Sequence, residues 1–84
     1  MERLAGLQSA PFARVAAAAY RAGEYDTAAD RFARGDSAAD WYNRGNALAN
    51  LGRLDAAIEA YDRALELQPG MADAENNRAV VEQL

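Results

Sequence analysis

The sequence predicts an all-α domain, a short array of about five antiparallel helices stacked side by side. Three observations predict it. Alanine is the most frequent residue, and alanine is the strongest helix former. The glycines are isolated, and Gly23, Gly35, Gly52 and Pro69-Gly70 punctuate the chain where helices would stop. The third is an internal repeat. Phe12, Val15, Ala16 and Ala19 followed by Ala28 and Phe32 mirror Trp41, Arg44, Gly45 and Leu48 followed by Ala57 and Tyr61. A single amphipathic helix pair cannot cover its own apolar face, whereas stacked pairs bury a continuous core.

Each element follows from local signals. Residues 1–10 form a lead-in, with a turn of helix expected around Leu4 and Leu7. Pro11 suits the first turn of a helix, where its missing N–H is no loss. The first helix should run from about Phe12 to Ala22 and close at Gly23. The second should span about Asp26 to Arg34, carry Ala28 and Phe32 inward, and end at Gly35. Ser37 with Asp40 is a capping-box spacing and opens a third helix, about Ala38 to Leu51, which Gly52 closes. Asp55 is the expected N-cap of a fourth helix reaching Leu67. The fifth, about Ala72 to Leu84, opens with Asp73 and Glu75, acids favoured at the positive end of the helix dipole. Val80, Val81 and Leu84 are its candidate core contacts, although Val80 and Val81 cannot both face inward.

Composition removes several functions. The 84-residue chain has no Cys and no His, which excludes disulfides, thiolate chemistry, Cys/His zinc sites and His acid–base catalysis. Its net charge is −4 and every cation is Arg. That balance opposes nucleic-acid binding, which needs clustered cations. The longest apolar run, Val15 to Tyr20, falls far short of the ~20 residues that cross a bilayer. Residues 1–4 are too short and polar for a secretory signal. The array is short and lacks a polar terminal cap, which suggests a domain cut from something longer. There is no Gly-rich phosphate loop, nucleophile elbow or metal-ligand cluster, so no enzyme and no cofactor are expected.

The strongest pattern covers residues 38–71. Trp41, Gly45, Leu48, Gly52, Ala57, Tyr61, Ala64 and Pro69 stand at the tetratricopeptide spacing, and the segment resembles a tetratricopeptide repeat (TPR). The resemblance implies a fragment of a right-handed solenoid. It extends loosely over about residues 9–84, and the domain expected from it spans 11–84, as a shortened unit at 11–36, a full unit at 37–71 and a terminal capping helix at 72–84. Asn43 and Asn77 lie 34 positions apart, but Phe12 and Trp41 only 29, so the second helix should be about a turn shorter than the fourth. A narrower likeness rests on Tyr20-Arg21-Ala22-Gly23, on Tyr42 to Leu48 (YNRGNAL) and on Asp73 to Arg78 (DAENNR). These are similar to the tail of bacterial von Willebrand factor A/TPR membrane proteins related to the Bat aerotolerance group. That likeness implies a soluble segment on the cytoplasmic or periplasmic side of an inner-membrane protein.

TPR arrays hold partners in a concave groove lined by the first helix of each pair. Helical spacing selects Tyr42, Asn46, Ala49 and Asn50, flanked by Asn43. Neighbouring helices add Ala13, Ala17, Tyr20 and Arg21 on one side, and Asp73, Asn76 and Asn77 on the other. Carboxamides donate and accept, so Asn43 and Asn77 can hold a peptide backbone. Arg14, Arg21 and Arg78 can hold carboxylates in forked geometry. Asn43 and Asn46 can equally serve only to tie neighbouring helices. Phe12, Phe32, Trp41 and Tyr61 are expected in the core. Arg44 stands where the general pattern has Leu and is expected to pair with Asp40 or Asp36. Glu59 and Arg63 form an i, i+4 pair on a solvated face. The expected function is a protein-interaction module for a protein or peptide partner. The alternative is a structural segment that self-associates through its apolar ends into a homo-oligomer.

Overall fold

The structure, a computed structural model, describes residues 4–9 and 14–84. The expectations for Pro11, Phe12 and Ala13 lie outside the described residues. Five helices follow one another: α1 (Arg14–Arg21), α2 (Tyr25–Phe32), α3 (Ala38–Asn50), α4 (Leu54–Leu67) and α5 (Ala72–Glu82). No strand occurs among the described residues. The second helix has 8 residues against 14 in the fourth, the shortening that the 29-residue interval requires.

Helix ends follow backbone chemistry. At the end of α3 the Arg53 N–H donates to Leu48 O (2.9 Å) and the Gly52 N–H to Ala49 O (3.0 Å). This paired closure needs a left-handed residue, and Gly52 supplies it at φ 79°. The end of α1 closes in the same way, from Glu24 N–H to Ala19 O and Gly23 N–H to Tyr20 O. At the start of α3 both halves of the capping box form. Asp40 N–H donates to Ser37 Oγ (3.1 Å), and Ser37 N–H donates to Asp40 Oδ2 (3.3 Å). Two boundaries depart from the sequence reading. Helix α2 stops at Phe32, before Gly35, whose small size instead admits the Asp40 carboxylate where a Cβ would stand. Helix α4 begins at Leu54 behind Arg53, which makes no side-chain cap, and Asp55 lies in the first turn, where its charge still meets the dipole.

Packing runs in sequence order. Helix α1 lies on α2, α2 on α3, α3 most extensively on α4, and α5 on α4 with a smaller contact to α3. The buried interior is mostly alanine with a few large side chains: Phe32, Tyr42, Leu48, Tyr61, Met71 and Val81. Small residues let the helices approach, and Gly45 shows how closely. A Cβ placed there would meet Tyr61 Cε1 at 2.6 Å. The ring of α4 thus occupies the volume that any side chain at position 45 would need.

Three core expectations are corrected. Trp41 is only half buried, packed against the core from its edge. Its ring faces two guanidinium groups, Arg44 at 5.5 Å and Arg63 at 5.4 Å from the centroid. Arg44 makes no ion pair with Asp40 or Asp36 among the described residues, because Asp40 is taken by Ser37 and the Trp41 face attracts the cation instead. On α5, Val81 is buried as expected, while Leu84 is 59% exposed beyond the helix end.

Candidate functional site

The described part of the lead-in is not helical. Residues 4–9 have no regular structure and cross the face shared by α3 and α5, and the side chains of that face bond to their backbone. Asn43 takes both backbone groups of one residue: Gln8 N–H donates to Asn43 Oδ1 (2.9 Å), and Asn43 Nδ2 donates to Gln8 O (2.9 Å). Asn77 repeats the arrangement on Ala5, whose N–H donates to Asn77 Oδ1 (2.8 Å) and whose carbonyl accepts from Asn77 Nδ2 (3.3 Å). The Tyr42 hydroxyl lies within reach of both Ala5 O (3.0 Å) and Gly6 O (2.9 Å). One side-chain contact accompanies these, from Gln8 Nε2 to Asp73 Oδ2 (2.6 Å). Local helix formation fails at Leu4 and Leu7 because this backbone is already satisfied by α3 and α5, while both leucines pack against the core.

The anchors are held by a buried polar network. Asn46 Oδ1 accepts from the Tyr61 hydroxyl (2.6 Å) and from Asn77 Nδ2 (2.8 Å), and Asn77 Nδ2 also reaches Tyr42 Oη (3.0 Å). Asn43, Asn46 and Asn77 are each at most 1% exposed. Buried amides of this kind need full satisfaction, and their bonds fix each one's rotamer. Burial pushes the Tyr61 and Tyr42 hydroxyls above their ordinary range, so both stay protonated and able to donate at neutral pH.

The sequence-selected residues divide into three groups. Tyr42, Asn43, Asn46 and Asn77 converge on one face. Of these, Asn46 also ties helices together, joining α3 to α4 and α5 and reaching Ala5 O only at 3.3 Å. Asn50 bridges instead to α1, donating to Tyr20 Oη at 3.1 Å. Of the arginines, Arg78 turns away from this face to α4, donating from Nε to Asp62 (2.6 Å) and pairing with Glu82. Arg14 and Arg21 are exposed on α1. Sequence reasoning missed the lead-in as the segment lying on this face. The signal was there in part: Leu4 and Leu7 are spaced three apart, with Gly6 between them to disfavour helix.

A second concavity of about 710 Å³ lies between α3 and α4, lined by residues that include Trp41, Arg44, Arg53, Glu59, Asp62, Arg63 and Glu66. Some of its charges are paired, whereas Arg44, Arg53 and Glu59 make no ion pair among the described residues and Arg44 Nε is buried without a hydrogen-bond partner. Arg63 bonds Glu66 at 3.2 Å rather than the expected Glu59, and Asp62 is engaged by Arg78.

No helix among the described residues is long and apolar enough to cross a membrane. They hold no cluster of acids that could bind a metal ion. No curated protein matches the chain. Residues 38–71 match the family model of the tetratricopeptide repeat, the span of α3, α4 and the turn that delivers α5. The described residues therefore form a five-helix array, without strands, whose segment 38–71 matches a tetratricopeptide repeat.

Proposed function

We propose that the chain is a protein-interaction module that holds an extended segment of a partner protein on the α3/α5 face. The observation that carries this reading is the geometry of Asn43 and Asn77. Each carboxamide meets the N–H and the C=O of a single residue, as a neighbouring strand would. Contacts of that kind recognise backbone, and they suit a partner whose side chains vary. The tetratricopeptide repeat is an interaction repeat rather than a catalytic one, and nothing in the arrangement of these residues activates a nucleophile or moves a proton. The likeness of YRAG, YNRGNAL and DAENNR to the von Willebrand factor A/TPR proteins supports a place beside a bacterial membrane assembly. Domain limits of 11–84 around the repeat fit that role, with residues 1–10 as a separate lead-in.

The test uses a fluorescently labelled peptide with the sequence of residues 1–9, added to the chain and followed by anisotropy. Asn43→Ala removes two backbone hydrogen bonds, each worth about 1 kcal/mol net, from the peptide and from the chain's own residues 4–9 alike, so affinity should fall several-fold, less than the roughly 30-fold expected on an empty face. Far-UV circular dichroism should remain that of the parent. Equal affinity in the variant with its helices intact would remove the carboxamide clamp from the reading.

A further inference from the structure

Within residues 4–9 two kinds of contact recur at an interval of three, with the Gly6 carbonyl adding one bond to the Tyr42 hydroxyl between them. Ala5 and Gln8 have both backbone groups clamped, and Leu4 and Leu7 pack against the core. A β-strand alternates with period two, so its residues 5 and 8 would point to opposite sides. A polyproline-II segment repeats every three residues with a rise of about 3.1 Å. Three residues therefore advance roughly 9 Å, which matches the ~8–10 Å separation of packed helices. Asn43 and Asn77 stand on α3 and α5, at equivalent positions 34 residues apart. Three residues, from Ala5 to Gln8, separate the two clamped positions, as one turn of such a segment would.

Resting on the interaction reading above, we propose that the partner is an extended segment of this threefold kind, and that residues 4–9 occupy its place in cis until the partner displaces them. The partner sequence follows from the contacts. It carries apolar residues at two positions three apart, where Leu4 and Leu7 lie. The residue after each must have a free N–H, as Ala5 and Gln8 do. Proline is excluded at those two positions and admitted at the position of Gly6, whose N–H has no partner on the face. A side chain that donates hydrogen bonds is favoured at the position of Gln8, where Asp73 accepts.

Occupancy in cis follows from chain connection. Ser9 precedes Arg14 by five positions, and so short a covalent connection holds the segment at a local concentration on the order of millimolar. A partner segment binding alone at about 0.1 mM would then be weakened roughly tenfold by the tethered competitor. The segment opens when its own donors are removed, and the clamp on α3 and α5 is left untouched.

The experiment measures the labelled residue 1–9 peptide against the full chain and against Ala5→Pro/Gln8→Pro in the full chain. Removing the two N–H donors should release the lead-in and tighten peptide binding about tenfold. Gln8→Glu, which sets a carboxylate against Asp73, should act in the same direction without proline. The peptide carrying Gly6→Pro should bind as the parent does, and the peptide carrying Gln8→Pro should not bind. Equal affinity for the parent chain and both opened variants overturns cis occupancy and leaves the interaction reading standing. Tight binding of the Gln8→Pro peptide overturns the threefold register. No binding to any form overturns the interaction reading itself, and this inference with it. The Asn43 side-chain amide resonance of the parent chain should be independent of protein concentration, and a dependence would assign the lead-in to a second copy instead.

Discussion

Asn46 is where stability and recognition meet, and Asn46→Ala separates them. Its Oδ1 accepts from the Tyr61 hydroxyl at 2.6 Å in a fully buried site. Truncation leaves that donor unsatisfied, which costs about 1–3 kcal/mol. Asn77 Nδ2 loses its 2.8 Å bond but keeps Tyr42 Oη at 3.0 Å, which limits the second loss to roughly 1 kcal/mol. The 3.3 Å approach to Ala5 O adds little. The expected total is about 2–4 kcal/mol, a large share of what a domain this small can hold. Urea unfolding followed by far-UV circular dichroism measures it, as a shift in midpoint at constant slope. The decisive arm is the cycle with Tyr61→Phe. With the hydroxyl gone, Asn46→Ala no longer orphans a donor, so the double variant should recover about 1–2 kcal/mol relative to the sum of the single changes. Simple additivity, or a loss below about 0.5 kcal/mol for Asn46→Ala, would refute the claim that this network holds α3, α4 and α5 in register.

Two further outcomes follow from the same interior. Gly45→Ala gains about 1 kcal/mol of helix propensity, yet its methyl meets the Tyr61 ring at 2.6 Å. Overpacking of that kind costs about 1–3 kcal/mol, so the net change in urea midpoint should be downward, and an increase would show that the α3–α4 contact is looser than described. Alkaline pH gives the second. The chain has neither Lys nor Cys, so tyrosine is the side chain that titrates above about pH 9. Burial raises Tyr20, Tyr42 and Tyr61 above 10.0 in the folded state. The folded chain then holds protons that the unfolded chain releases. Stability is full below pH 10 and falls as pH rises beyond it, by up to about 1.4 kcal/mol per pH unit for each group. Tyr61→Phe should flatten that slope by up to one proton; midpoints that stay level from pH 9 to about 11.5 would contradict the burial of these hydroxyls.

The sequence was readable where one residue type has one structural use. Ser37 and Asp40 form the box that their spacing announces, and Gly52 closes α3 because no other residue adopts φ 79° so readily. Reading failed where several partners compete for one side chain. Arg44 had two nearby acids by sequence, but Asp40 was already held by Ser37 and the Trp41 face lay open. Arg63 chose Glu66 over Glu59 although both stand at helical spacing. For the site, the equivalence of Asn43 and Asn77 was legible from their 34-residue interval, whereas their bonds to residues 4–9 were not. The arginines were not, since a long side chain can turn to either side of its helix and Arg78 found acids on α4 and α5.

The lead-in was the hardest part to read, and the reason bears on what the groove selects. Leu4 and Leu7 satisfy a helical spacing and a threefold extended spacing equally well. The choice between them is made by the α3/α5 face, which offers carboxamides where a helix would need its own carbonyls. If the face holds a partner as proposed, a surface that overrules local propensity in its own chain does the same to a partner that is unstructured when free. Its selectivity then lies in what the backbone must supply. Two N–H groups at the right interval are required, with room for a small residue between the apolar anchors. On that reading net charge contributes little, because among the described residues Asp73 is the one acid of the face that bonds the segment, and Arg78 is engaged by Asp62 and Glu82. Binding should therefore depend only weakly on salt and strongly on where proline falls in the partner, which separates this groove from one that recognises acidic tails.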